Sequence, residues 1–342
     1  MTAAQGKGRR RQTFYVSAQQ VAERAGVSRS AVSRAFTPGG SVSEGARQRI
    51  VKAADELGYH VNALARSLQR DESGIVCLIV AAVGTPYHSS LLRELTLKLQ
   101  AAGKLAVVIN TTDGEGSVDR ALAQAIRYRA DAAIVLSGEP AVGLAELCMR
   151  GGQRMVLISR EEKLQGALRI NTDDAGAAQR AALAFARAGC RRLAFANSTL
   201  GTASLRRREE GFARAAQALG LPVQIARHGY TNYEAGAELA RRLLTQADRP
   251  DAMFCANDLI ACGFLDVARW RFGLRVPEDL CVAGFDDIEQ SRWASYELTT
   301  FSQPADLIAA RAVEWIAGED DDDPHEIVVP AEIVWRRTIR GG

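Results

Sequence analysis

The stretch Val16–Leu68, VSAQQVAERAGVSRSAVSRAFTPGGSVSEGARQRIVKAADELGYHVNALARSL, restricts what this chain can fold into more than any other. Ser17 precedes Gln20 by three residues, the capping-box spacing that satisfies orphan backbone donors at a helix start. Val21, Ala22 and Ala25 then recur at helical spacing. Gly26 ends that helix in the left-handed conformation, and Val27 packs into the turn. Ser28 caps a second helix, Arg29–Phe36, with Ala31, Val32, Ala35 and Phe36 inward and Arg29, Ser30, Ser33 and Arg34 outward. After the breaker Thr37-Pro38-Gly39-Gly40, Ser43 opens a third helix to about Leu57, which Gly58 ends. Its inward positions are Ala46, Ile50, Ala53, Ala54 and Leu57. A small helical bundle with merely solvated arginines is the alternative. Cap, turn glycine and exposed arginines coincide within twelve residues, which favours a helix-turn-helix that meets a DNA duplex.

Charge agrees with that reading. The 342 residues carry a net +3, but residues 1–72 hold 12 Lys+Arg against 6 Asp+Glu, so the rest carries −3. A basic head on a slightly acidic body is the asymmetry expected when one end meets phosphate. Lys7-Gly8-Arg9-Arg10-Arg11 reads as a flexible arm over residues 1–12 that touches phosphate. No apolar run approaches the roughly 20 residues that span a membrane, and the N-terminus lacks a signal-peptide segment. A cytoplasmic protein without membrane contact is expected. The cysteines, at 77, 148, 190, 255, 262 and 281, form no CxxC pair and read as reduced, buried thiols. Neither a metal site nor a cofactor is expected. The acidic run Asp320–Asp323 reads as a solvated loop.

From Gly74 onward apolar strands alternate with helices. The first block has strands at Ile75–Val80, Leu105–Ile109, Ala132–Leu136 and Met155–Ile158. Helices are expected at Leu91–Ala102, Ala121–Tyr128 and Leu144–Arg150. The second block has strands at Arg192–Ala196, Val223–Ala226, Ala252–Cys255 and Leu280–Ala283. Its helices are Ala177–Ala188, Arg207–Leu219, Tyr233–Leu244 and Leu259–Trp270. This spacing predicts an α/β body of two doubly wound lobes with parallel sheets and a cleft between them. Ligands of open α/β sheets bind past the carboxyl ends of strands. Candidates there are Tyr87, His88, Arg160, Arg208, Asn257 and Asp286. Asn, Asp and Arg pair with vicinal hydroxyls and Tyr offers a face to a ring, so the set reads as a polyol pocket. Structural alternatives stay open: Asp258 as a helix cap, Asp287 as a loop former, and Arg160 paired with Asp173 or Asp174. An enzyme is disfavoured, because no strand leads into GxGxxG, no Walker loop appears and no Ser/His/Asp grouping is visible.

The residues AGVSRSAVSR, ELGY, NALARSL, PDAMFCANDLIACG, RVPEDLCVAGFDD and LTTFSQP resemble the lac repressor (LacI) family of bacterial transcription regulators. That resemblance implies a homodimer, with a tetramer left open, on a pseudo-palindromic double-stranded DNA operator. Recognition helices enter the major groove, and hinge helices carrying Asn62, Ala65, Arg66 and Leu68 enter the minor groove. The family also implies periplasmic-binding-protein-like lobes that bind a small-molecule effector, sugar or sugar derivative by default, with Arg208, Asn257 and Asp286 in contact. This chain departs from the family at Val61, where Pro is usual, at His88, where an aromatic is common, and at Thr172, where Asp is common. The expected organisation is an arm (1–12), a helix-turn-helix domain (13–61), a hinge and linker (62–72) and an effector and dimerisation body (73–342). The first lobe covers about 73–170 and 302–325, the second about 171–301 and 326–340. Ser17, Ser28, Arg29, Ser30, Ser33 and Arg34 complete the DNA-facing set. The expected function is a repressor under allosteric control, with inducer or corepressor left open.

Overall fold

Residues 16–37, 39–60, 72–111, 116–318 and 326–341 are described by the computed structural model, and they fall into two units that divide between Ser73 and Gly74. The first unit holds α1 (Ala18–Ala25), α2 (Arg29–Ala35) and α3 (Glu44–Leu57). The capping box of α1 forms as its spacing predicts: Gln20 N donates to Ser17 Oγ at 3.3 Å, and Ser17 N donates to Gln20 Oε1 at 2.8 Å. Gly26 takes φ 64° and lets the chain turn into α2, a conformation that costs a residue with a Cβ. Val21, Val32 and Ile50 are fully buried at the centre of the three helices, each contributing roughly 1.5–3 kcal/mol. Arg24 pairs with Glu56 at 2.7 Å, tying α1 to α3. Arg47 of α3 donates to the Ala35 and Gly40 carbonyls and so fastens the end of α2.

In the second unit, a six-stranded parallel sheet forms the first lobe. Its strands are β1 (Ile75–Ala81), β2 (Leu105–Thr111), β3 (Ala132–Val135), β4 (Arg154–Ile158), β5 (Ala167–Thr172) and β11 (Glu326–Val329). Their order is β11-β5-β4-β3-β1-β2. Side-chain alternation along β1 explains its two covered faces. Val76, Leu78 and Val80 meet α4 (Pro86–Ala101) and α11 (Ala305–Ala317), while Ile79 meets α5 (Ser117–Arg127) and a cluster shared with α6 (Val142–Arg150).

The second lobe repeats the plan with β6 (Leu193–Asn197), β7 (Val223–Arg227), β8 (Ala252–Cys255) and β9 (Cys281–Ala283), ordered β7-β6-β8-β9. Helices α7 (Asp174–Arg187), α8 (Ala203–Ala218), α9 (Tyr233–Leu243) and α10 (Asp258–Asp266) cover it. Phe195, Phe212 and Phe254 meet within 5.3–5.8 Å at its centre. Both sheets put the first strand of the lobe between the second and third. That arrangement creates a switch point where ligands lodge.

Three differences from the sequence reading concern strands. β5 was not anticipated, because Arg169 and Asn171 interrupt its apolar run; Arg169 pairs with Glu326 of β11 at 3.4 Å. The short antiparallel pair β10 (Thr300–Ser302) and β12 (Glu332–Val334) was likewise missed. Because Glu326–Val329 completes the first sheet, the chain re-enters the second lobe after Val329, not at 326. The three crossovers therefore lie between β5 and α7, β10 and α11, and β11 and β12. The basic arm, the hinge segment 62–69 and Asp320–Asp323 lie outside the described residues.

Candidate DNA-reading helix and effector cleft

Helix α2 is short and amphipathic by necessity. Ser28 Oγ accepts from Ala31 N at 3.2 Å, and Val32 and Ala35 are buried. With that side fixed, Arg29, Ser30, Ser33 and Arg34 are all exposed. Arg34 Nε reaches the Ser30 carbonyl at 3.3 Å, and Thr37 Oγ1 donates to the Ser33 carbonyl at 2.9 Å. Neither Arg29 nor Arg34 has an acidic partner among the described residues. Such an Arg/Ser face can donate in pairs to guanine edges and to phosphate. Asn62, Ala65, Arg66 and Leu68 lie outside the described residues.

Between the lobes, the wall on the second lobe is already bonded. Arg208, 4% exposed on α8, donates from Nε to Asp174 Oδ1 at 2.8 Å and from Nη1 to the Ala256 carbonyl at 2.7 Å. Its guanidinium lies 3.5 Å from the centroid of the Phe285 ring. Asp174 also receives Arg207 Nε at 3.1 Å. Asn257 Oδ1 accepts from Ile260 N at 2.9 Å and caps α10. Asp286 follows β9 at φ 117°, and Gln303 Nε2 donates to its Oδ1 at 2.6 Å. Burial pushes the Asp286 carboxyl up to about 6, against the opposing pull of Arg208 and Gln303.

On the first lobe the wall is unfinished. Tyr87 Oη is buried and has no hydrogen-bond partner. Burial, with the charges of Asp286 and Asp174 across the cleft, raises its phenol above the ordinary range. His88 Nδ1 lies 3.0 Å from Thr85 Oγ1, and burial lowers its imidazole below the usual value. Arg160, 8% exposed, donates to the Leu136 carbonyl at 2.7 Å and to the Ser159 carbonyl at 3.2 Å, while its Nε has no partner. Four of the six non-glycine residues at positive φ among the described residues lie just past strands: Ala82 and Ser159 directly after β1 and β4, and Asp286 and Asp287 in the loop that leaves β9. Backbone strain of this kind concentrates at ligand sites. Glu161 reaches across from the first lobe to Arg206 at 2.7 Å and Arg207 at 3.3 Å.

Residues 18–62 match the family model described as bacterial regulatory proteins, lacI family, and residues 182–339 match a periplasmic binding protein-like domain. The chain belongs to the LacI family. It is a DNA-binding transcription regulator with an effector-binding body. Its relatives include the ribose operon repressor of Escherichia coli (strain K12), 28% identical over 299 residues, 86% of this chain and 90% of that one. The transcriptional repressor CytR of the same strain is 28% identical over 307 residues, 89% of each chain. In fold, the chain is similar to the lac repressor dimer solved with operator and an anti-inducer, with TM-score 0.85 and 22% identity over 95% of this chain and 99% of that one.

In this LacI-family chain the six sequence-predicted effector residues divide into two groups. Arg208, Asn257 and Asp286 stand together through Ala256 and Phe285, and Tyr87 shares their electrostatic surroundings. His88 and Arg160 influence one another on the first lobe. Tyr87 and His88 occupy the first turn of α4, which starts at Pro86 and not at Leu91. Arg208, expected as an effector contact, already has a counter-charge in Asp174, which is 1% exposed. The cap of α10 is Asn257, not Asp258. Asp258 is fully buried, receiving Thr300 Oγ1 at 2.5 Å and Ile288 N at 2.9 Å. A Cβ on Gly284 would stand 2.1 Å from its Oδ1, so only glycine fits beside it. Asp287 does shape its loop, binding Arg336 at 2.5 Å and Ser291 at 3.0 Å. Arg160 pairs with neither Asp173 nor Asp174. Sequence reasoning offers Asp174 only as a partner for Arg160 and misses Arg207 and Gln303; the triple Arg206-Arg207-Arg208 was the available signal, since a buried arginine requires a carboxylate nearby.

Proposed function

We propose that this LacI-family chain is a repressor that binds a pseudo-palindromic operator as a homodimer and answers to a carbohydrate-like effector held between its lobes. The observation that carries the effector reading is the pair of buried donors, Tyr87 Oη and Arg160 Nε, that have no partner. Each such donor costs about 1–3 kcal/mol until an acceptor arrives. Hydroxyl oxygens of a polyol are suitable acceptors, and its hydroxyl hydrogens can in turn donate to Asp286. Because Asn257 Oδ1 is committed to its helix cap, Nδ2 is the amide atom available to a ligand. A relative named as a ribose operon repressor supports both the repressor and the carbohydrate parts of the reading.

The homodimer is supported by apolar groups left in the open. Leu105 and Val108 are 60% and 45% exposed on the edge strand β2, and Trp270 beyond α10 is 85% exposed. An uncovered apolar edge is a pairing surface. In this reading the joining segment Asn62–Gln69 responds to both DNA and effector, which makes their coupling reciprocal. Among the described residues no helix is long and apolar enough to cross a membrane, and we place the protein with its DNA in the cytoplasm.

A thermal-shift screen of the full chain against sugars, sugar acids, sugar phosphates and purines tests the reading, since a ligand specific for the folded state raises the melting temperature. The expected hit is a polyol that also changes operator affinity. Stabilisation by a purine alone, or by no class at all, contradicts the polyol; a polyol hit with unaltered operator affinity contradicts the coupling.

A further inference from the structure

The six cysteines do not share one environment. Burial pushes up the thiols of Cys77, Cys148, Cys255 and Cys262. Cys190 and Cys281 differ because they meet. Cys190 follows the turn after α7, Cys281 opens β9, and the interaction of their side chains shifts both thiols, Cys190 upward and Cys281 downward. One residue clamps the pair from the C-terminal segment. Arg340 Nη2 donates to Cys190 Sγ at 3.0 Å, and the Arg340 backbone and guanidinium together pull the Cys281 thiol down. The same guanidinium is fixed by the Ala188 carbonyl at 3.0 Å, Pro277 at 2.7 Å and Glu278 at 3.0 Å, so its charge stays beside the sulfurs. Cys281 in its thiol form reaches the Pro277 carbonyl at 3.7 Å.

We propose that Cys190 and Cys281 are a redox modification site, a dithiol that peroxide converts to a disulfide. An arginine fixed against one sulfur of an interacting pair stabilises a thiolate, and a thiolate is the nucleophile in such chemistry. The Cys281 thiol is lowered to about 7 by Cys190 and the Arg340 contacts, with burial and Asp251 opposing. The Cys281 thiolate sulfur attacks one oxygen of hydrogen peroxide. The O–O bond breaks, the leaving hydroxide takes up the proton lost by Cys281, and a sulfenic acid remains. The Cys190 sulfur then attacks that sulfenic sulfur. The S–S bond forms, and the hydroxyl leaves with the Cys190 proton as a second water. Two thiols are oxidised by two electrons and one peroxide becomes two waters. Cys190 and Cys281 are fully buried and Arg340 is half-buried, so peroxide reaches the sulfurs during a transient local opening of the structure.

The test uses the full chain under native conditions, treated with hydrogen peroxide, then denatured, alkylated and digested. Two of the six thiols should escape alkylation, a linked peptide pair should contain Cys190 and Cys281, and dithiothreitol should restore both. Arg340→Gln should slow the reaction several-fold while the near-UV circular dichroism stays native. If Arg340→Gln fails to fold, the wild-type peptide map decides alone. Six alkylatable thiols after treatment that oxidises free cysteine, or a disulfide involving any other cysteine, would overturn the assignment.

Discussion

On the second lobe, Arg208 enters the cleft with Asp174 at 2.8 Å, the Ala256 carbonyl at 2.7 Å and Phe285 beneath it. On the first lobe, Arg160 is nearly as buried but leans on two carbonyls and leaves Nε free, and the Tyr87 hydroxyl of the same lobe has no partner either. The contrast separates two uses of one residue type. A buried arginine with a carboxylate is part of the scaffold, and removing either partner strands a charge. A buried donor without a partner is held ready for something that arrives later. The second lobe therefore supplies a rigid, pre-bonded floor, and the first lobe supplies the donors that a ligand completes.

Removing Asp174 breaks the comparison most severely. Asp174→Ala leaves Arg208 buried without its counter-charge, and urea unfolding should show a loss of about 3–5 kcal/mol. A loss below about 1 kcal/mol would mean that Arg208 is no more anchored than Arg160.

Asp286 gives the second wall a pH signature. Its folded-state carboxyl keeps a proton up to about 6, against an ordinary value of 3.8, because burial disfavours the anion. The associated stability is fully present below 3.8 and is lost as pH rises through 6, up to about 3 kcal/mol at roughly 1.4 kcal/mol per unit. Buried Asp258 acts in the same direction, so Asp286→Asn should flatten this pH dependence only in part. Urea titrations between those limits check both statements. Stability that rises across the window would reverse the assignment.

An exposed arginine extends the comparison to the head. Arg29 has no partner among the described residues and, like Arg160, is read as reserved for a second molecule. Arg29→Ala should cost ~1–3 kcal/mol on the operator and relax preference at one position per half-site. Equal weakening on operator and random DNA, measured by fluorescence anisotropy, would reduce it to a phosphate contact.

The smallest effect is the most selective. Tyr87→Phe removes a hydroxyl that bonds nothing in the protein itself, so the melting temperature without ligand should hold or rise. Effector affinity should fall by about 0.5–1.5 kcal/mol, the net worth of one hydrogen bond, as read by calorimetry. A loss of ligand-free stability would show that the hydroxyl has an internal role.

Much of the site was legible because the signals were local. Ser17, Gly26 and Ser28 fix the head through spacing and cap chemistry, and the residues past each apolar run mark the cleft. What was not legible depended on contacts distant in sequence. Nothing near Arg208 announces that Asp174, 34 positions earlier, will neutralise it. Nothing near Asp286 announces Gln303, which arrives on a different crossover. Strand β5 hid its character because Arg169 gains its partner, Glu326, from the far end of the chain. Helix α10 misled in a simpler way, since Asn257 and Asp258 are both good caps and only burial by Thr300 and Ile288 decides between them.

Operator titration with and without the polyol found by thermal shift tests the central claim most directly, using wild type beside a Tyr87→Phe/Arg160→Gln double variant. The account predicts that the ligand changes wild-type operator affinity. The variant should bind operator within about 1 kcal/mol of wild type, the usual effect of substitutions remote from an interface, and give no response at the same ligand concentration. A variant that responds like wild type would contradict it, because the donors left open on the first lobe would then not be the ones the effector completes.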